Sequence, residues 1–480
     1  MQRRIDLAPV GHDDTTGCAP RDAGGAGAVR RAPAAMRIAA AVRLVPVILL
    51  VSVLRAAAVD QGADATATAE DSPKEEQAGD FIWRWSWDQG VRYDLEVPFD
   101  DYWIGPDELP LSGKPIEQRL ALVGKIGGLM QVDVAGYGET RGLTGATSGI
   151  ELRRFRFGTR GDFFLLGHVS YAVDLELVSS NLQVGDVYLW WNELPIVRSF
   201  KIGNFSPPMS LESVTAARDT IFMESGLPVE AFAPGRSAGI QVGGPECGRR
   251  LTWALGAFRT LETPTVGDQS KDGGRVIGRV TWLPDDAPTE GRLTHLGLSG
   301  SVLFAAEDVS YSSRPESHLA PKFVDTGSLR SAQNSFVWGA ELAHFHGPWL
   351  FMGEGLVATV RGQDSATLWG GYASLSRFLS DDAQPYDRTV GRLGRFEPPH
   401  PFSWSAGTYG ALRAALRVSY LDLSDGSVSG GREANVTANL TWFLDHYLLF
   451  NLEYGFAAVR ERPDQGNLHF VQARFQCDFF

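Results

Sequence analysis

Residues Arg432–Phe480, REANVTANLTWFLDHYLLFNLEYGFAAVRERPDQGNLHFVQARFQCDFF, carry the clearest pattern in the chain. Val436, Ala438, Leu440, Trp442 and Leu444 alternate with Asn435, Thr437, Asn439 and Thr441. A period of two gives a strand with one apolar and one polar face. Past Asp445 and His446, Leu448, Phe450, Leu452, Tyr454, Phe456 and Ala458 repeat the division against Leu449, Asn451, Glu453, Gly455 and Ala457. A last strand sets Val471, Ala473, Phe475, Cys477 and Phe479 against Gln472, Arg474, Gln476 and Asp478. Alternation of this kind fits a soluble sandwich or a membrane barrel.

The N-terminus bears on that choice. Met36, Arg37 and Arg43, the apolar run 44–54 and Ala56-Ala57-Ala58 read as a signal peptide over 36–58. Its apolar run is too short to span a bilayer as a helix. Residues 1–35 carry no pattern and read as a disordered extension or an upstream mis-start. Residues 59–123 read as a periplasmic segment that opens on a polar linker, with 89–97 as an extra strand ahead of the main body. No other stretch resembles a transmembrane helix, so an exported chain that enters a membrane does so as a closed barrel.

Residues 124–480 hold about sixteen predicted strands. An even number brings both ends of an antiparallel barrel to one side. Connections alternate in length: 194–199, 245–250 and 346–349 are short, whereas 207–235, 260–274 and 306–334 are long. Segment 381–406, with Pro385, Pro398, Pro399 and Pro401, is long but falls on the short-turn side, as a periplasmic insertion or a miscounted strand. Trp191, Trp282, Trp338, Trp442 and Phe475 fall on outward faces, as lipid-facing belts require. The fold class is therefore all-β, a transmembrane antiparallel barrel.

The formal net charge is −13, and 31 Lys plus Arg against 38 Asp plus Glu leave −7 over residues 124–480. An acidic chain lacks the basic footprint of a nucleic-acid binder. Cys18 falls before the cleavage site, and Cys247 and Cys477, far apart in sequence, read as unpaired. There is no His-Glu-x-x-His or P-loop, and no cofactor is implied. His344 and His346 share one strand face without a third ligand in view, which disfavours a metal. A barrel enzyme would need Ser and His adjacent on an outward face, and no such pair is found. An energy-coupled receptor would need a globular plug larger than the segment before Gly124.

Three pieces carry a family resemblance over roughly residue 124 to the end. The first runs from Ile202-Gly203-Asn204-Phe205 through Pro207-Pro208, Ser210-Leu211-Glu212-Ser213 and Phe222-Met223-Glu224 to Ala231-Phe232-Ala233-Pro234-Gly235-Arg236. The second is the run Val418-Ser419-Tyr420-Leu421-Asp422-Leu423-Ser424-Asp425-Gly426 with Gly430-Gly431-Arg432-Glu433. The third is the ending Gln472–Phe479. These resemble the phosphate-selective porin O and P family. The resemblance implies a water-filled homotrimer in the outer membrane, with the third extracellular loop, here 207–235, folded inward. Ser206 stands where the family often has a lysine, and Phe480 follows the residue matching the family's terminal aromatic.

Strand phase then selects lumen charges. With Phe155 and Phe157 outward, Arg154, Arg156 and Arg160 point inward; Arg279, Arg413 and Arg417 do so on other strands, and Arg218 and Arg236 lie in or beside the inward loop. Two readings follow. The arginines form a path for small anions such as phosphate, or they pair with Asp174, Glu176, Asp186, Glu341 and Glu453 on the same face and stiffen the barrel. The first implies an anion-selective porin, the second a general one.

Overall fold

The computed structural model describes residues 74–78, 81–87, 91–97, 120–138, 142–164, 168–178, 181–259, 273–304, 308–330, 334–461 and 465–478. The expected extension 1–35, the signal peptide 36–58, Cys18 and Phe480 lie outside them.

Strands β1 (Lys74–Ala78), β2 (Phe81–Trp87) and β3 (Val91–Val97) form an antiparallel ribbon. The first nine barrel strands are β4 (Leu120–Tyr137), β5 (Gly149–Phe164), β6 (His168–Val178), β7 (Asn181–Leu194), β8 (Arg198–Phe205), β9 (Ser237–Glu246), β10 (Leu251–Arg259), β11 (Gly274–Ala287) and β12 (Arg292–Phe304). Short strands β13 (Asp308–Val309), β14 (Ser312–Ser313), β15 (Val324–Asp325) and β16 (Leu329–Arg330) staple the next loop. Then come β17 (Asn334–His346), β18 (Trp349–Arg361) and β19 (Ala366–Phe378), the small hairpin β20 (Tyr386–Asp387) and β21 (Arg392–Leu393), and finally β22 (Ala411–Asp425), β23 (Val428–Phe443), β24 (Leu448–Arg460) and β25 (Gly466–Asp478).

Each barrel strand pairs antiparallel with the next, and β25 returns to β4 from Phe470↔Tyr137 to Asp478↔Leu129. The barrel thus closes with sixteen strands and no free edge. β4 also pairs with β3, from Val91↔Ile126 to Val97↔Leu120. β3 therefore continues the edge of β4 where β25 ends, so the extra strand expected over 89–97 is present.

The quoted stretch shows why the barrel wins over a sandwich. Val436, Leu440 and Trp442 are 41%, 39% and 36% exposed, while Thr437, Asn439 and Thr441 between them are buried. The apolar face looks out and the polar face looks in, which inverts a soluble core. Leu298, Trp282, Trp338, Val418 and Leu452 extend that outer apolar surface to other strands. A band this continuous belongs in lipid.

The segment between β19 and β22 is an insertion rather than a miscount. Those two strands pair directly, from Trp369↔Asp422 to Phe378↔Arg413. It leaves the barrel end that carries the short turns 195–197, 247–250 and 347–348, and it folds back inside. There Arg279 Nη2 donates to the Gly391 carbonyl at 2.7 Å and His295 bonds the Tyr386 hydroxyl at 2.6 Å. Cys247 and Cys477 are both free.

Candidate functional site

The lumen is built in two unlike halves. From β18 to β22 its wall carries an inward apolar set, Leu350, Met352, Leu356, Val360, Leu368 and Leu421, with Glu354, Arg413 and Arg417 set among them. Loop 206–236 folds inward and lays Met209, Leu211, Phe222, Leu227 and Phe232 against that wall in one buried cluster. Each such side chain contributes about 1.5–3 kcal/mol on burial. Segment 308–330 also turns inward, setting Tyr311 against Phe232 at 5.2 Å between ring centroids. The sequence did not mark this second inward loop, because its anchors are single polar residues without a period.

Polar contacts fix loop 206–236 from the barrel wall. Glu354 accepts from the backbone N–H groups of Leu211 and Glu212 at 3.0 and 2.9 Å, where the short helix Leu211–Val214 begins. Arg474 holds Asp133 through two 2.7 Å bonds and donates to the Met223 carbonyl at 2.7 Å. Glu224 takes two bonds from Arg153, at 2.8 and 2.9 Å, and one from Arg474 at 3.0 Å. Burial opposes the Glu224 charge, but Arg153, Arg154 and Arg474 outweigh it and hold its carboxyl well below the ordinary range.

Arg153 was missed by strand phase. Alternation puts it on the lipid side of Arg154, yet both point inward. Gln131 pairs with Arg154 and Val132 with Leu152, so Arg153 is an extra residue in a β-bulge. The signal was available, since two adjacent arginines in one regular strand would drive one of them into lipid. Gly158 serves the same strand differently: a Cβ there would lie 2.4 Å from Asp174 Oδ1, in the space where that carboxylate reaches Arg160.

The other half of the lumen, against β5 to β11, is open. A cavity of about 1730 Å³ extends from Pro195 and Arg249 at the short-turn end to Ser310 and Lys322 in segment 308–330. Its lining holds twelve Lys and Arg against five Asp and Glu, in a chain whose net charge is −13. Six of the eight sequence-predicted arginines line it: Arg154, Arg156, Arg160, Arg218, Arg236 and Arg279. Arg413 and Arg417 face inward but lie behind loop 206–236. Arg413 donates to Gln384 and the Thr220 carbonyl, and Arg417 bridges Glu212 and Glu316 while lying 4.3 Å from the Phe222 ring centroid. They brace the loops rather than face the passage.

The six that do line it are mostly neutralised at contact distance. Arg156 bonds Glu176 at 2.8 Å, Arg160 bonds Asp174 at 2.5 Å, and Arg236 bonds Asp186 at 2.8 Å. Arg279 grips Glu341 through bonds of 2.9 and 2.7 Å. Arg154 donates to Gln131 at 2.8 Å, with Glu176 at 3.7 Å. Arg218 Nε lies 3.6 Å from both Asp219 and Asp478. The lining also gains Lys201, Arg198, Arg249, Arg275, Lys322 and Arg392, which strand phase did not single out. His344 and His346 stack on the outer face, ring centroids 6.4 Å apart, and no metal-binding cluster occurs among the described residues.

A closed barrel with an apolar outer band, an inward-folded loop and a cation-lined cavity in its lumen has the architecture of the outer-membrane porin class. The chain belongs to the phosphate-selective porin O and P family, whose model matches residues 125–479. An uncharacterized protein of Caulobacter vibrioides is 29% identical over 402 residues, covering 78% of each chain. Among solved structures, OprB of Pseudomonas putida matches with a TM-score of 0.48 at 9% identity, over 74% of this chain and 94% of that one. A loop-deletion mutant of OmpT, an outer membrane protein of Vibrio cholerae, matches with a TM-score of 0.46 at 10% identity, over 74% and 98%.

Proposed function

We propose that this porin passes small hydrophilic anions by passive diffusion, with phosphate and its polymers as the first substrates. The observation that carries the reading is the local reversal of charge: twelve cations against five acids along the cavity of an acidic protein. In a narrow channel walled by low-dielectric barrel, such an excess concentrates anions. The proposal includes export by the signal peptide 36–58 and assembly as a homotrimer in outer-membrane lipid. Migration of the unheated protein in detergent electrophoresis checks the trimer, and a monomer-sized band would remove it.

A second reading has an observation of its own. Arg156, Arg160, Arg236 and Arg279 each already hold a carboxylate. If those pairs only stiffen the wall, the protein is a general porin of the same architecture.

The deciding experiment is the reversal potential of the reconstituted protein in a planar bilayer under a potassium chloride gradient, repeated with added phosphate. Anion selectivity with phosphate blocking the chloride current supports the first reading. Weak or cation preference leaves the general porin. Arg154→Glu with Arg156→Glu should move selectivity toward cations, and an unchanged ratio would take both residues out of the pathway.

A further inference from the structure

Lys201 stands apart from the arginines of the passage. It lies on β8 between Phe200 and Ile202, and Ile202 is 43% exposed on the outer face, so Lys201 faces the lumen and lines the cavity. Counted from Arg198 at the short-turn end, it sits about 10 Å up the strand at ~3.4 Å per residue. Among the described residues no carboxylate forms an ion pair with it. Its amine is instead 3.7 Å from the centre of the Tyr188 ring, 4.4 Å from Phe205 and 5.4 Å from Trp190. Ring faces hold an ammonium in place without neutralising it. Directly across the β8–β9 ladder is Gln241, whose side chain also lines the cavity.

The arginine sites and this one suit different anions. Phosphate is strongly hydrated and offers many acceptor oxygens, so it needs several polar donors to replace its water. In contact with the Lys201 amine are the rings of Tyr188, Phe205 and Trp190, while Asp186, Arg160, Arg236 and Arg392 act on it electrostatically without an ion pair to its amine. A carboxylate has only two oxygens to satisfy. If its body is apolar, that body gains by leaving water against the rings.

We propose that Lys201, set among Tyr188, Trp190 and Phe205 and opposite Gln241, is a carboxylate-binding station that favours organic monocarboxylates with an apolar or aromatic body. This inference rests on the anion-channel reading above. It adds a substrate class to that reading and places the added selectivity on the wall between β7 and β9.

The test is block of the single-channel chloride current by benzoate and by acetate, which share a headgroup and differ in the body. In the native protein benzoate should half-block at roughly tenfold lower concentration than acetate, as a well-packed ring contact implies. Lys201→Gln should raise the benzoate value about tenfold, and Lys201→Arg should restore part of the loss. Tyr188→Leu with Trp190→Leu should bring benzoate and acetate together. Equal potency of the two anions on the native channel overturns the station, as does a Lys201→Gln channel still blocked by benzoate at the native concentration. If Lys201→Gln does not assemble, the native comparison decides alone. A cation-selective reversal potential sinks the anion reading itself, whereas anion selectivity with equal block sinks only the station.

Discussion

Arg417 is 1% exposed and joins two loops that the chain separates by about a hundred residues: Glu212 at 3.1 Å and Glu316 at 2.8 Å. Removing one partner of a buried ion pair leaves the other charge uncompensated, which costs about 3–5 kcal/mol. Arg417→Met should therefore lower the thermal unfolding temperature of the detergent-solubilised barrel and make single-channel current noisier as both loops loosen. Native stability in that variant would show that the apolar packing of loop 206–236 suffices without it. Glu224 yields a pH prediction of definite sign. Its carboxyl is held below the ordinary value by Arg153 and Arg474, so its stabilisation is complete above the unfolded value, near pH 4.3, and fades as pH falls through the folded one. Channel current should stay quiet at pH 5 and become noisy only in stronger acid, while Glu224→Gln should be noisy at both. Strand phase placed Arg154, Arg156 and Arg160 correctly toward the lumen, because alternation is a local rule. It could not place Arg153, since a bulge shifts the phase by one residue.

At the scale of elements, all sixteen barrel strands and the inward loop 206–236 were legible, the strands from their period and the loop from the family motifs around Pro207 and Pro208. The inward turn of segment 308–330 and of the β20–β21 hairpin was not. Both are held by long-range bonds between single residues, such as Thr437 to Glu316 at 2.5 Å for the first and Arg388 to Asp286 at 2.6 Å for the second, and these leave no periodic trace. The hairpin also touches the passage, since Thr389, Val390 and Arg392 line it. Because β19 and β22 pair directly up to Phe378↔Arg413, the barrel does not need the insertion for closure. Replacing 381–406 with a short Asn-Gly turn should leave a folded barrel with higher single-channel conductance. Unchanged conductance would mean the hairpin only buttresses loop 206–236 from below.

For the whole molecule, the barrel was decided by sign rather than by pattern alone: the same alternation could serve a sandwich, and exposure of the apolar face separated the two. Charge shows a similar inversion. The barrel segment sums to −7, yet the passage lining carries an excess of cations. These two distributions act over different ranges. Exposed acids such as Glu290, Glu397 and Glu461 influence ions through solvent, over a Debye length of roughly 30 Å at 0.01 M salt and only about 3 Å at 1 M. Lumen cations meet a passing ion at contact distance, where salt screens them least. Chloride preference over potassium should therefore be as strong at 1 M salt as at 0.1 M, or stronger, when measured as reversal potential at a fixed concentration ratio. A cation preference at low salt that vanishes at high salt would show that the acidic exterior governs entry and that the lumen arginines, held by their carboxylates, do not select.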